Sequence, residues 1–289
     1  MGKGKYDSIV IGGGPSGLTA GLYLARAKRS VLIIERIFGG GQTGAINEVV
    51  NYSGIKSIAG YDLVRTMQEQ AESFGAEVIN DEVVEVDAKG KTVKTLSGET
   101  YYAKTIVFAT GCTSKTLGLS GEERLVGRGV SYCATCDGNF YKGKTVAVVG
   151  NSAKAFDDAE YLSKIAKKTY LVSSANLSAS GVTSINGRVT SLNGTPLQSI
   201  TVVSDNGQTL TLECDCLFVA VGLNPATHLL AGQVDMDEKG FIKTNEECET
   251  SEKGVYAVGD IRSKKLRQIA TAVADGAIAS TDLIKYTKE

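Results

Sequence analysis

One histidine, His228, occurs in 289 residues. It falls in a connecting segment, 224–230, with no partner in view, so it reads as a surface or hinge residue rather than a catalytic one. No apolar run is long enough to span a membrane, and no small-residue cleavage site follows the lysine-bearing residues 1–6, so a cytoplasmic protein is expected. No dense basic stripe with interleaved aromatics is present and the formal net charge is -1, which argues against nucleic acid as the main partner. Six cysteines are too few for a disulfide scaffold in a chain this long. Low-complexity segments and short repeats are absent as well. What remains, 42% hydrophobic and 22% charged residues with 34 glycines, is an ordinary globular composition. Its length predicts two domains, and its glycine content predicts several tight ligand-binding turns.

Residues 6–11 are β-rich, 15–27 have helical composition and 30–35 are apolar again, a βαβ opening that starts a parallel sheet. A second such unit runs from a strand at 145–149 through a turn at Gly150 and a helix at 153–165 to a strand at 169–172. Between them, a helix over 61–74 and strands over 77–86, 92–96 and 105–109 are expected, bounded by Gly, Asp or Asn turns. Further strands are expected at 200–204, 209–212 and 217–221, the first two joined by the hairpin signal Asp205-Asn206-Gly207. A buried strand at 254–259 and a closing helix at 268–286 pack best on the first domain. The expectation is an α/β protein of two Rossmann-like, three-layer nucleotide-binding-type domains, the second inserted into the first. Residues 1–115 and 224–289 would form one domain, and 116–223 the other.

Gly12-Gly13-Gly14-Pro15-Ser16-Gly17 holds G-x-G-x-x-G between a strand and a helix, the context that makes this motif informative. Gly12 permits the tight turn, Gly14 lets backbone approach a pyrophosphate at the helix N-terminus, and Gly17 lets helix and strand pack closely. Glu35 ends the next strand where a carboxylate binds a ribose hydroxyl pair and disfavours a 2′-phosphate, which fits FAD or NAD. The alternative is a glycine-rich turn without a ligand.

Only Cys133 and Cys136 have C-x-x-C spacing, which in a reducing compartment reads as redox-active or metal-binding. A structural zinc needs four ligands, and Cys112, Cys214, Cys216 and Cys248 are scattered, so ligand count and spacing disfavour a metal. These four read as small buried residues. Two thiols three residues apart can close a disulfide, and a thiolate of lowered pKa can attack a partner's disulfide. Asp137 adjoins the pair, either to manage the proton of each thiolate step or to cap a turn or helix.

C-A-T-C-D at 133–137, the fingerprint at 12–17 and G-x-x-x-V-G-D at 254–260 resemble the low-molecular-weight thioredoxin reductase family, and the similarity runs the full length. Gly39-Gly40-Gly41-Gln42, Asn51-Tyr52-Ser53-Gly54, Ala109-Thr110-Gly111 and Arg267-Gln268-Ile269-Ala270 resemble its flavin-contacting segments, with Ser53 where the family commonly has proline. The resemblance implies FAD as cofactor, touched by Gly12, Gly14, Pro15, Ser16, Gly17, Glu35, Gly41, Gln42, Asn51, Thr110, Gly111, Gly259 and Arg267. It places Asp260 on the ribityl chain and Gln268, Ile269 and Ala270 along the isoalloxazine ring. It further implies that Cys136 faces the flavin while Cys133 attacks thioredoxin, that the protein is a homodimer, and that the second domain swings during turnover. Tyr132, beside the pair, would shield the flavin or simply pack.

NADPH-dependent members have a glycine-rich second βαβ turn and an H-R-R-x-x-x-R segment that holds the 2′-phosphate. Here the turn reads Gly150-Asn151-Ser152-Ala153-Lys154-Ala155, and the next strand ends Leu171-Val172-Ser173-Ser174-Ala175-Asn176, without arginines or an acid. The chain thus resembles the ferredoxin-dependent flavin thioredoxin reductases that lack NADPH-binding motifs. That resemblance implies electron flow from reduced ferredoxin through FAD and the Cys133–Cys136 dithiol to a thioredoxin disulfide, the flavin converting one-electron delivery to two-electron transfer. An NAD(P)H-dependent enzyme with an atypical site, a flavin thiol oxidase using oxygen and a flavin-binding redox sensor stay open as alternatives. Ferredoxins are acidic, so Arg262, Lys264, Lys265 and Arg267 are either their docking site or a solvated charged loop. Lys164, Lys167 and Lys168 read as a solvated helix end.

Overall fold

The computed structural model describes residues 4–37, 39–175 and 180–287. The chain divides into two compact units: unit 1 is Met1–Thr113 with Asn224–Glu289, and unit 2 is Ser114–Leu223.

Unit 1 opens with β1 (Lys5–Ile11), α1 (Pro15–Arg26) and β2 (Val31–Glu35). Alternate residues of β1 go to opposite faces, Ile9 and Ile11 into one apolar cluster and Val10 into another, as a sheet covered on both sides requires. Pro15 is the first residue of α1, where its missing amide would have had no helical partner. The helix lies tight on the sheet because Gly21 has no side chain; a Cβ there would stand 2.4 Å from Ile33 Cδ1. The chain continues through α2 (Gly41–Gly44), α3 (Gly60–Ser73), β3 (Glu77–Asn80), β4 (Val83–Asp87), β5 (Thr92–Thr95), β6 (Thr100–Phe108) and β7 (Cys112–Ser114).

Unit 2 contains α4 (Glu122–Leu125), β8 (Val130–Ser131), α5 (Ala134–Asp137), β9 (Thr145–Val149), α6 (Ala153–Ser163), β10 (Lys168–Ser173), β11 (Thr183–Asn193), β12 (Ser199–Ser204), β13 (Thr209–Glu213) and β14 (Cys216–Val219). Its sheet runs β13-β12-β11-β10-β9-β14-β8, parallel from β8 to β11 and antiparallel beyond. Again alternate residues part: Val146 and Val148 enter one cluster, Ala147 and Val149 the other.

The chain then forms β15 (Leu223–Pro225), which pairs with β7, and ends in unit 1 with β16 (Val255–Ala257) and α7 (Ile269–Tyr286). The unit 1 sheet runs β3-β2-β1-β6-β5-β4 with β16 on β6; β4 and β5 are its antiparallel strands. α7 packs on α1 at the glycine Gly276, whose Cβ would meet Ser16 O at 2.4 Å, and Ser280 Oγ donates to Ala20 O at 3.1 Å. The architecture is the expected pair of Rossmann-like α/β folds, and no helix among the described residues is long and apolar enough to cross a membrane.

Several elements depart from expectation. The single strand anticipated over 77–86 is two strands, β3 and β4, with Asp81 and Glu82 between them. Asp81 ends the run because its carboxylate accepts from the Glu82 amide and from Ser97, local bonds that compete with a ladder. The strand anticipated at 105–109 begins at Thr100, extended by antiparallel pairing with β5. β11 was not anticipated: its sequence is polar, a register shift interrupts it between Val189 and Ser191, and pairing with β10 and β12 supplies what apolar periodicity does not. The expected strand end at Asn176 lies outside the described residues. His228 is exposed, at the start of a single 3₁₀ turn, His228–Leu230.

Candidate active site

The first turn is shaped by absent side chains. A Cβ on Gly12 (φ 110°) would stand 2.5 Å from Ala109 O, and one on Gly17 would stand 1.9 Å from Gly12 O, so both positions exclude any other residue. Gly14 differs: the nearest atom to a Cβ there is Gly40 O at 4.0 Å, which leaves the start of α1 open to a ligand. Pro15 and Ser16 form the buried first turn of that helix. The Glu35 carboxylate is fixed beside them, one oxygen accepting from the Gly13 amide and the other from Ile37 N at 3.0 Å.

Other expected cofactor residues line the same unit. Gly41 opens α2 and Gln42 follows it, exposed. Asn51 Nδ2 donates to Gln268 Oε1 at 3.1 Å, joining a loop 217 residues distant to the cap of α7, where Ile269 and Ala270 form the first turn. Thr110 Oγ1 donates to Ala226 O at 2.9 Å, and nothing lies within 4 Å of a Cβ on Gly111. Asp260 sits in the 3₁₀ turn Gly259–Ile261, and its Oδ1 is buried without a hydrogen-bond partner. Burial pushes its carboxyl above the usual carboxylate range, with Lys264 and Arg267 pulling it back and Asp275 adding to the rise. A buried acceptor without a partner is costly in the protein alone and is satisfied by a polar ligand. The open helix start, the anchored Glu35 and this unmet oxygen together fit a flavin dinucleotide.

The loop after Asp260 corrects the docking expectation. Arg262 Nη1 and Lys264 Nζ each lie 2.8 Å from Asp275, with side chains only 15%, 13% and 10% exposed respectively. Both cations are turned inward onto one shared carboxylate and largely covered, so Arg262 and Lys264 do not present a surface to an acidic protein. Asp275 also accepts from Gly259 N at 2.9 Å, tying α7 to the turn that carries Asp260. Arg267 stacks 4.0 Å over Phe241 and donates to the backbone oxygens of Asp260, Arg262 and Lys264, so its guanidinium clamps its own loop. Of the four, only Lys265 is exposed.

The second turn keeps the plan of the first without its later glycines. A Cβ on Gly150 would meet Ala220 O at 2.4 Å, so glycine is retained for chain packing. Asn151 then reaches across to the end of β10: its Oδ1 accepts from Ser173 Oγ (3.0 Å) and Ser174 N (2.9 Å), and its Nδ2 donates to Ser174 Oγ (2.9 Å). This amide staple joins the βα turn to the following strand end, the two features between which a nucleotide lies in such folds.

Cys133 and Cys136 form a disulfide across α5, with Cα atoms 5.3 Å apart. Cys133 is the helix N-cap, its Sγ accepting from Cys136 N at 3.2 Å, so the capping role considered for Asp137 falls to the cysteine. Ser131 was missed in the sequence. Its hydroxyl donates to Asp137 Oδ2 at 2.6 Å and accepts from Cys133 N at 3.1 Å, fixing the carboxylate relative to the pair. Tyr132 donates to Glu122 Oε1 at 2.8 Å and packs into the unit 2 core. Glu122, itself buried, also accepts from Leu117 N and Leu119 N. Cys112, Cys214, Cys216 and Cys248 are buried. Burial pushes the Cys112 and Cys248 thiols up to about 11, Cys214 to about 12, and Cys216 upward as well, so all four stay protonated and inert at neutral pH.

Comparison with known proteins agrees with this layout. The model of the pyridine nucleotide-disulphide oxidoreductase family matches residues 6–276. A thioredoxin reductase of Peptoclostridium acidaminophilum is 38% identical over 308 residues, covering 98% of this chain and 97% of that protein. The crystal structure of thioredoxin reductase from Streptococcus pyogenes has a TM-score of 0.90 at 36% identity, with 98% of each chain covered. A ferredoxin-flavin thioredoxin reductase from Clostridium acetobutylicum has a TM-score of 0.53 at 30% identity, with 97% of each covered.

Proposed function

We infer, because the chain belongs to the low-molecular-weight thioredoxin reductases of the pyridine nucleotide-disulphide oxidoreductase family, that its flavin receives electrons from reduced ferredoxin and not from NADPH. The coarser activity follows from membership: the protein is an FAD-dependent thioredoxin reductase. The observation that carries the finer reading is the Asn151 staple, which ties the turn after β9 to the end of β10 with the protein's own side chains where a nucleotide's phosphates would pass. Nothing at Ser173 or Ser174 replaces it with a cation for a 2′-phosphate or an acid for a ribose. The Clostridium acetobutylicum protein, named for its ferredoxin, shares the family's architecture, as do relatives named only as thioredoxin reductases, so the reading rests on the turn.

When bound, FAD supplies the conversion between one-electron delivery and two-electron transfer. In unit 1, Gly14 and the start of α1 would receive its pyrophosphate, Glu35 its ribose, and Asp260 Oδ1 a hydroxyl. In unit 2, two electrons and two protons turn the Cys133–Cys136 disulfide into a dithiol. The Cys133 thiolate then attacks the thioredoxin disulfide to form a mixed disulfide, which Cys136 resolves, releasing two thioredoxin thiols and restoring the pair. Asp137, held by Ser131, exchanges the proton at each thiolate step.

Anaerobic mixing of the yellow protein with NADPH, NADH or reduced ferredoxin tests the donor. Loss of flavin absorbance with ferredoxin alone is expected, and rapid bleaching by NADPH would overturn the reading.

A further inference from the structure

The lysines of unit 2 behave unlike those of the loop after Asp260. Lys142 and Lys144 flank a turn just beyond the 3₁₀ turn Gly138–Tyr141, while Lys164, Lys167 and Lys168 follow the end of α6. Backbone bonds hold the two segments together: Gly143 N donates to Ile165 O at 3.0 Å, and Lys167 N donates to Lys144 O at 2.8 Å. Five exposed lysines are thereby gathered on one edge of the unit. Lys164 has a weak partner in Glu160 at 3.8 Å, both side chains being exposed. Asp215, whose carboxylate accepts from Thr145 N at 2.9 Å, and Asp137 also lie nearby, both close enough to Tyr141 to raise its phenol's pKa. Among the described residues, Lys142, Lys144, Lys167 and Lys168 have no carboxylate within ion-pairing distance; Lys144 and Lys168 lie instead over the rings of Tyr141 and Tyr170. Packed like charges without counter-charges repel one another and raise a positive local field, which attracts acidic molecules.

We propose that this lysine cluster, Lys142, Lys144, Lys164, Lys167 and Lys168, is the docking surface for the acidic face of the disulfide-bearing protein that Cys133 reduces. Position favours this acceptor. Only six residues separate Cys136 from Lys142, so their Cα atoms are at most about 20 Å apart. The turn between them is braced on α6, since a Cβ on Gly138 would meet Leu162 at 3.0 Å and Ile165 at 3.2 Å. A protein partner covers about 800 Å² on its target, a disc roughly 30 Å across, which is enough to reach both. The cluster also belongs to the unit that carries the disulfide, so it stays with the pair wherever that unit moves. The structure thus revises the reading of Lys164, Lys167 and Lys168 as a plain solvated helix end: Lys142 and Lys144, distant in sequence, complete the patch.

The proposal rests on the disulfide reductase activity and not on the electron donor, so its test supplies electrons chemically. Holoprotein carrying Lys142→Glu, Lys144→Glu and Lys167→Glu is kept reduced with dithionite. It is then stopped-flow mixed, once excess reductant is removed, with a bacterial thioredoxin of net negative charge or with the small disulfide DTNB. At low ionic strength the rate constant for thioredoxin is expected to fall about tenfold or more, as loss of electrostatic steering predicts. Wild type should lose most of that advantage in 0.5 M salt, while the DTNB rate stays unchanged. An unchanged thioredoxin rate, or a wild-type rate indifferent to salt, overturns the proposal. So does slower flavin reduction by ferredoxin with thioredoxin reduction intact, which would make the cluster the donor's surface. If charge reversal also slows DTNB, the Lys→Gln triple variant decides, and an unaltered thioredoxin rate there is equally fatal.

Discussion

The turns at 12–17 and 150–155 share a strand-turn-helix plan and use a glycine at the same place for the same reason, yet only the first keeps glycines at the helix start. At the first, the start of α1 faces space, Glu35 is pinned to the Gly13 amide, and Asp260 brings a buried oxygen with no partner. At the second, Asn151 satisfies its own polar atoms against Ser173 and Ser174. One site carries a buried acceptor without a partner that a ligand can satisfy; at the other, the side chain that follows the retained glycine has found its partners within the unit. Retained fold is therefore a poor guide to retained ligand, because Gly150 is fixed by packing against Ala220 whether or not a nucleotide binds.

The comparison breaks most severely if the first turn is filled. Gly17→Ala places a methyl carbon 1.9 Å from Gly12 O, and backbone must move to admit it. Flavin affinity is expected to fall at least about a hundredfold, close to 3 kcal/mol, read as colourless protein on purification and by titration of apoprotein with FAD. Full flavin retention would show that the close approach of α1 to β1 is not what shapes the site.

A smaller effect is expected at Asp260. Asp260→Asn should weaken FAD about twentyfold, within the roughly 1.5–3 kcal/mol of a hydrogen bond to a charged group, and stabilise the apoprotein. The sign follows from the raised carboxyl pKa. The stability tied to the protonated form is fully present below the ordinary aspartate value and is lost as pH rises through the higher folded value. Melting of the apoproteins should therefore show Asn above Asp at pH 7, with the difference vanishing in acid. A wild-type apoprotein more stable than the variant at pH 7 would contradict the unmet oxygen.

What the sequence made legible was whatever depends on spacing along the chain. The 12–17 fingerprint, the strand ending at Glu35, the C-x-x-C pair and the missing glycines at 151–152 all declare themselves within a few residues. What it hid depends on partners brought together by folding. Arg262 and Lys264 looked like free cations because Asp275 lies in a helix that begins seven residues after Arg262. Lys142 and Lys144 are brought beside Lys167 by backbone bonds between segments more than twenty residues apart, which no local spacing announces. Ser131 carried a usable signal, a hydroxyl two residues before Cys133 and six before Asp137, but its bond to the carboxylate needs the turn of α5. β11 was invisible for another reason: it is a central strand made mostly of polar residues, formed because its neighbours offer backbone pairs on both sides.

The mildest and sharpest test opens the second turn. Asn151→Ala removes three hydrogen bonds, but water takes over the freed groups of exposed Ser174 and the buried Ser173 hydroxyl keeps the Ala175 amide as a partner, so the cost should stay near 1 kcal/mol. Differential scanning calorimetry should show this as a drop of about 2–4 °C. Asn151→Gly combined with Ser174→Arg goes further, clearing the path of a pyrophosphate and adding a guanidinium where a 2′-phosphate would sit. NADPH binding in the millimolar range, about 4 kcal/mol, is expected to appear by equilibrium dialysis, against none in wild type. Wild-type binding as tight as the variant's would mean that the staple yields readily to nucleotide. In that case both turns would admit a nucleotide, and the donor reading would fall with the distinction.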